Sequence, residues 1–187
     1  MGLKRSIVLA GIKHCGKSTL GALLARRYGV TFIDTDRELE ERFRAESGRE
    51  LATREIFREL GAEKFRKFEA AVIGALAKEA AEPRIVALGG GVPANSFVEP
   101  EALRSLGFQV YLAIQPELAY ARVLRNGLPP FLAGAADPFA EFCRLNRERE
   151  PFYLKFSDLV WPVDREIPAP AAAGALAEKL EQEWNIL

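Results

Sequence analysis

Short apolar runs alternate along the chain with segments in which apolar residues recur every three or four positions. The runs are SIVLAG (6–11), TFID (31–34), RIVAL (84–88), QVYLAI (109–114) and DLVWP (158–162), and the first helical pattern runs from Lys17 to Tyr28. Strands alternating with helices of this length are the grammar of βαβ units. Because each run is continuously apolar, every strand is expected to be covered on both faces, as in an open parallel sheet. The pattern therefore predicts an α/β fold with a five-stranded parallel sheet between helical layers.

Two stretches break the alternation. Residues 36–81 are almost all helix formers with charged faces, interrupted near Ser47-Gly48 and at Gly61, so two or three helices are expected there. Residues 126–137 gather Gly127, Pro129, Pro130 and Gly134 and read as a mobile loop between helices. The tail from Pro168 onward reads as a last helix packed by Leu176, Leu180 and Trp184. With 187 residues, no internal repeat and no linker, one domain is expected.

Composition narrows the function classes. Basic and acidic residues balance at 26 each, so no global field draws the chain to nucleic acid or to an anionic membrane. Neither is expected as a partner, and any anion site must be local. The two cysteines, Cys15 and Cys143, form no spaced disulfide framework, which points to a reducing, cytoplasmic setting. No apolar stretch reaches membrane-spanning length. The start, MGLKRSIVLAG, reads as a first strand; Gly2 and Ser6 match the loose myristoylation pattern by accident, since a lipid there would precede a core strand.

The strongest signal is Gly11-Ile12-Lys13-His14-Cys15-Gly16-Lys17-Ser18, which fits G-x-x-x-x-G-K-[ST] between an apolar strand and a helix. Such a loop turns backbone N–H groups and a helix N-terminus onto phosphate oxygens. Lys17 supplies a cation to the β- and γ-phosphates, and the Ser18 hydroxyl is placed for Mg²⁺. The next strand ends Asp34-Thr35-Asp36, two carboxylates at the edge where open α/β sheets bind ligands. Strand alternation would put both on one side. Asp36 reads either as a ligand group or as the cap of the following helix.

In order and spacing, the P-loop with GKST, FIDTD, the I-F-x-x-x-G-x-x-x-F-R-x-x-E run, the Gly-Gly-Gly after RIVAL and R-x-P-x-Y resemble the shikimate kinase family, over about residues 7–159. The resemblance implies a P-loop three-layer sandwich like that of nucleoside monophosphate kinases, with an acceptor-binding region at about 36–69 and a lid at about 126–137. It implies a kinase that phosphorylates a hydroxyl of shikimate using ATP and Mg²⁺, and a monomer is expected. By position, Lys17 and Asp34 resemble catalytic residues, with Ser18 and Asp34 as metal ligands. Gly11, Lys13, His14, Cys15, Gly16, Lys17, Ser18 and Thr19 resemble the nucleotide loop, and Arg122 the arginine over adenine. Asp36, Arg66, Arg149, Gly89, Gly90 and Gly91 resemble the acceptor-binding set, Phe57 and Phe65 the aromatics around the acceptor ring. Glu69 is expected to pair with Arg66 or a neighbour.

The pattern breaks in two places. The family's lid arginine is replaced by Pro129, while Lys13 adds a cation inside the P-loop where an apolar residue or proline is common. Lys13 is therefore expected to be catalytic, with Arg125 as a second substitute for the lost charge. His14 is not read as a general base, since P-loop x positions act mainly through backbone; Cys15 reads as incidental, although a thiol at a helix N-terminus can be open to alkylation. Two other readings stay open, a kinase for a gluconate-like acid and a nucleotide-binding homologue without transfer activity.

Overall fold

The computed structural model describes residues 3–79, 82–125, 127–128, 130–184 and 186. Five strands, β1 (Ile7–Ala10), β2 (Thr31–Asp34), β3 (Arg84–Ala87), β4 (Phe108–Ile114) and β5 (Leu159–Val163), form one parallel sheet in the order β2-β3-β1-β4-β5. Ile7 faces Ile85 on one side and Phe108 on the other, so β1 is central. Its neighbours lie in opposite directions along the sheet, and that switch point opens a crevice beyond the carboxyl ends of the strands.

β1 and β3 are buried throughout and β4 nearly so. The expectation of burial on both faces fails at the sheet's margins. β2 is half-buried, and β5 alternates, with Val160 exposed. An edge strand has one neighbour and is only partly covered by helices, so apolar continuity overstates its burial.

Helix α1 (Lys17–Tyr28) packs on the sheet and against the C-terminal helix α8 (Ala169–Trp184). Glu181 of α8 accepts hydrogen bonds from Tyr28 Oη at 3.0 Å and Arg27 Nε at 3.2 Å. Leu176 and Leu180 are fully buried, but Trp184 stays 43% exposed, its ring tilted against that of Phe108 at 5.0 Å between centroids. The helix ends there, so the indole lies at the rim of the packed layer.

Region 36–81 resolves into α2 (Thr35–Ser47) and α3 (Thr53–Lys78). α2 ends on Gly48 in the left-handed conformation. α3 breaks at Gly61, whose φ of 73° and ψ of 166° are accessible to almost no other residue. A short 3₁₀ turn (Val92–Ala94) and helix α4 (Pro100–Ser105) follow β3. Helix α5 (Pro116–Arg125) then leads towards α6 (Pro130–Ala133) and α7 (Pro138–Phe156). The stretch expected to be loop thus contains a helical turn, started by Pro130 at a position where proline fits, and Leu132 within it is fully buried. Asn126 and Pro129, the latter at the position where a lid arginine was expected, lie outside the described residues. No helix among the described residues is long and apolar enough to cross a membrane.

Candidate active site

The chain leaves β1 through Gly11 at φ 140°, a conformation closed to side-chain-bearing residues, and a Cβ there would meet the Leu112 carbonyl at 2.9 Å. The loop closes through His14, whose φ of 67° is the one left-handed non-glycine angle among the described residues, and Gly16, which caps α1. The Lys17 ammonium donates back to the carbonyls of Gly11 at 2.8 Å and Ile12 at 3.0 Å, so it lies inside the curl of the loop. Cys15 is buried at 1% exposure against Gly11, which withdraws its thiol from alkylating reagents. The His14 imidazole is held below its ordinary pKa by burial and by the charges of Lys13, Lys17 and Arg122. It is neutral at pH 7, while its carbonyl accepts from Arg122 Nη1 at 3.0 Å.

Asp34 closes β2 and does two jobs. Its Oδ2 accepts from the Ser18 hydroxyl at 2.6 Å, and its Oδ1 accepts from the Asp36 backbone N–H at 3.1 Å. The helix cap is therefore Asp34, not Asp36. Asp36 lies in the first turn of α2 rather than on the strand, so helix entry, not strand alternation, brings the two carboxylates together. Asp36 is reachable by water, yet its carboxyl is pushed above the ordinary carboxylate range. Desolvation is the main cause and Asp34 the next, against the opposing pulls of Lys17 and Lys13.

Behind Asp36 stands the first residue of the glycine triplet. A Cβ on Gly89 would come within 2.6 Å of Asp36 Oδ1, and Gly89 N–H donates to the buried Thr35 hydroxyl at 2.8 Å. Gly90 lies between the P-loop and α7, with Lys13 N at 3.6 Å and Arg149 Nη1 at 3.8 Å from where its Cβ would be. Gly91 faces open space and leads into the 3₁₀ turn.

Glu69 feels the charges of both arginines, but the partner it bonds is Asn95 and not Arg66, the partner expected from sequence. It is buried, accepts from Asn95 Nδ2 at 2.8 Å, and its carboxyl is raised by desolvation and Asp36 while Asn95, Arg149 and Arg66 pull it down. Asn95 also donates to the Arg66 carbonyl at 2.8 Å. Tyr153 donates to the Gly90 carbonyl at 2.6 Å, touches Arg149 and stacks on Tyr111 at 5.0 Å. Phe57 and Phe65 meet edge to face at 5.3 Å across the Gly61 break; Phe57 is 45% exposed and Phe65 buried.

A cleft of about 830 Å³ runs from the P-loop, Thr19, Asp34 and Asp36 past Arg122 to the β5–α8 connection. Arg122 spans it: Nε and Nη2 donate to Glu166 at 3.1 and 2.8 Å, and Nη1 to the His14 and Cys15 carbonyls. Arg125 is held by the same Glu166. Sequence reasoning missed Thr35, Asn95 and Glu166. Thr35 was in view inside FIDTD without its role, and nothing marked Asn95 or Glu166, because each acts through a partner distant along the chain. Tyr153 was legible within R-x-P-x-Y, without its role.

The sequence model of the family described as Shikimate kinase matches residues 13–181. The chain is 37% identical over 179 residues to a shikimate kinase of Symbiobacterium thermophilum, covering 95% of this chain and 97% of that one. It is 38% identical over 187 residues to a shikimate kinase of Dechloromonas aromatica, covering 98% and 92%. The solved structure of an Acinetobacter baumannii shikimate kinase in complex with shikimate superposes with a TM-score of 0.80 at 26% identity, covering 96% of this chain and 94% of that one.

Proposed function

The chain belongs to the shikimate kinase family, and on that premise we propose that it transfers the terminal phosphoryl group of ATP to a hydroxyl of shikimate, yielding ADP and shikimate 3-phosphate. The observation that carries this reading is a single sheet edge that joins a phosphate loop to a carboxylate pair, with Arg149 beside Gly90 of the glycine triplet next to the loop. Nucleotide and acid acceptor each meet their own cations, and the two carboxylates lie where the acceptor hydroxyl must approach.

In this reading Lys17 and the loop N–H groups hold the phosphates, with the positive end of α1 behind them. The Ser18 hydroxyl and Asp34 carboxylate, 2.6 Å apart, are hard oxygen donors suited to Mg²⁺. Bound there, the ion would neutralise phosphate charge. Asp34 orients the acceptor hydroxyl and takes its proton, Asp36 accepts hydrogen bonds from the acceptor hydroxyls, and Arg66 and Arg149 grip its carboxylate as planar guanidinium groups do. Lys13 adds a cation beside Asp36 on the acceptor side of the loop. The protein acts as a cytoplasmic monomer of one domain.

Coupled measurement of ADP release with shikimate, gluconate and other sugar acids tests the reading. Turnover is expected with shikimate at a kcat/KM at least about a hundredfold above any other acid, because unpaired polar groups in a built site penalise the wrong acceptor. Preference for another acid, or ATP binding without transfer, would overturn it.

A further inference from the structure

Glu166 belongs to no motif and lies in the connection between β5 and α8, yet it organises the far end of the nucleotide cleft. Two of its contacts are to Arg122, through Nε at 3.1 Å and Nη2 at 2.8 Å, a side-on pair that fixes the guanidinium plane. The third nitrogen, Nη1, is spent on the His14 and Cys15 carbonyls at 3.0 and 3.3 Å. Arg122 is thus pinned by its edges between the P-loop and the β5–α8 connection. Hydrogen bonds use the edge of a guanidinium, whereas stacking on a heteroaromatic ring uses its face.

The direction of the cleft gives this arrangement a purpose. Phosphates belong at the P-loop, so the rest of a nucleotide must extend along the cleft, whose walls beyond the loop include Arg122, Glu166 and Ile167. A base bound there lies beside Arg122. Arg125 shares the Glu166 carboxylate, so two cations face one anion and the group does not repel a triphosphate. The two arginines hold Glu166 acidic, at about 2, and it stays ionised at any working pH.

We propose that Glu166 is a positioning residue that fixes the Arg122 guanidinium across the cleft so that its face meets the base of ATP, a role that rests on the nucleotide reading above. The loss of Glu166 charge therefore affects base binding and phosphate binding in opposite senses. Without the carboxylate, Arg122 loses its fixed plane and the base loses its platform, while the cleft becomes more positive and phosphates alone bind at least as well.

The test is calorimetric titration of the full chain, wild type and Glu166→Gln, with ATP and with inorganic tripolyphosphate, both with Mg²⁺. We expect the ATP Kd of Glu166→Gln to rise about tenfold while its tripolyphosphate Kd holds or falls. Glu166→Asp, which keeps the charge but is too short to reach both arginines, is expected to weaken ATP without tightening tripolyphosphate, and it serves if the Gln variant does not fold. Tightening of both ligands would mean a purely electrostatic role, and equal weakening of both a purely structural one; either overturns the proposal, as does an unchanged ATP Kd. Wild-type protein that binds tripolyphosphate but gains nothing from the base of ATP would refute the nucleotide reading itself.

Discussion

The Asp36 carboxyl is pushed above its ordinary value of 3.8 by desolvation and by Asp34. A raised folded-state pKa means that the folded chain binds this proton more tightly than the unfolded chain does. Stability from this group is therefore lost as pH rises from the ordinary value through the raised one, and above that window the ionised carboxylate remains a cost. Asp36→Asn is expected to melt higher than wild type at pH 7, by an amount that solvent screening of this exposed residue keeps small, with the gap closing as pH falls below the ordinary value, and to be inactive. Equal melting at pH 7 would mean that Asp36 is not strained by its site. Gly89→Ala acts on the same carboxylate from the other side, since the new methyl would crowd Asp36 Oδ1. The acceptor KM should rise about tenfold or more while the ATP KM stays within about twofold. Lys13 presents a sharper case. A transition state with charge spread over three phosphoryl oxygens needs cations. Lys13→Met is expected to lower kcat roughly tenfold or more with a smaller effect on ATP affinity, and a variant as fast as wild type would remove Lys13 from the catalytic set.

At the scale of elements, local chemistry was readable and long-range pairing was not. The P-loop helix begins at Lys17 and ends at Tyr28, the bounds its sequence pattern gives, because glycines flank it at both ends and fix its caps. The carboxylate pair was legible as two residues at a strand end, but its geometry was misread. Asp34 caps α2, and that hydrogen bond turns the chain so that Asp36 enters a helix. Periodicity sees neither a cap nor the distant groups it serves. Thr35 reaching Gly89 and Asn95 reaching Glu69 are contacts between elements far apart in sequence, and no local signal records them. The Gly61 break was legible because glycine interrupts an otherwise helical run. It separates Phe57 from Phe65 and Arg66 within α3, so the break sets how the residues proposed to meet the acceptor face one another. Gly61→Ala would force a methyl group into a backbone conformation that costs about 1–3 kcal/mol. A lower Tm is the expected outcome, and a rise in both Tm and helicity would show that α3 straightens without penalty.

Over the whole molecule, the sheet brings the phosphate loop, the carboxylates and the glycine triplet to one edge, while helices α3, α5 and α7 carry the arginines. β1 delivers the phosphate loop, β2 the carboxylates, β3 the glycine triplet, and β5 the connection that carries Glu166. The parallel sheet and its strand count could be read from apolar runs because buried strands need continuous apolar faces. The half-exposed margins could not, since burial depends on the strand's place in the sheet, which local pattern does not encode. On the proposed reading, ATP and the acid acceptor are held by separate cationic groups, the P-loop for one and Arg66 with Arg149 for the other. Steady-state kinetics of Arg66→Ala, with each substrate varied while the other saturates, tests it most directly. A rise of at least about tenfold in the acceptor KM, with the ATP KM within about twofold of wild type, is the predicted result; equal rises in both, or a rise confined to ATP, would contradict it.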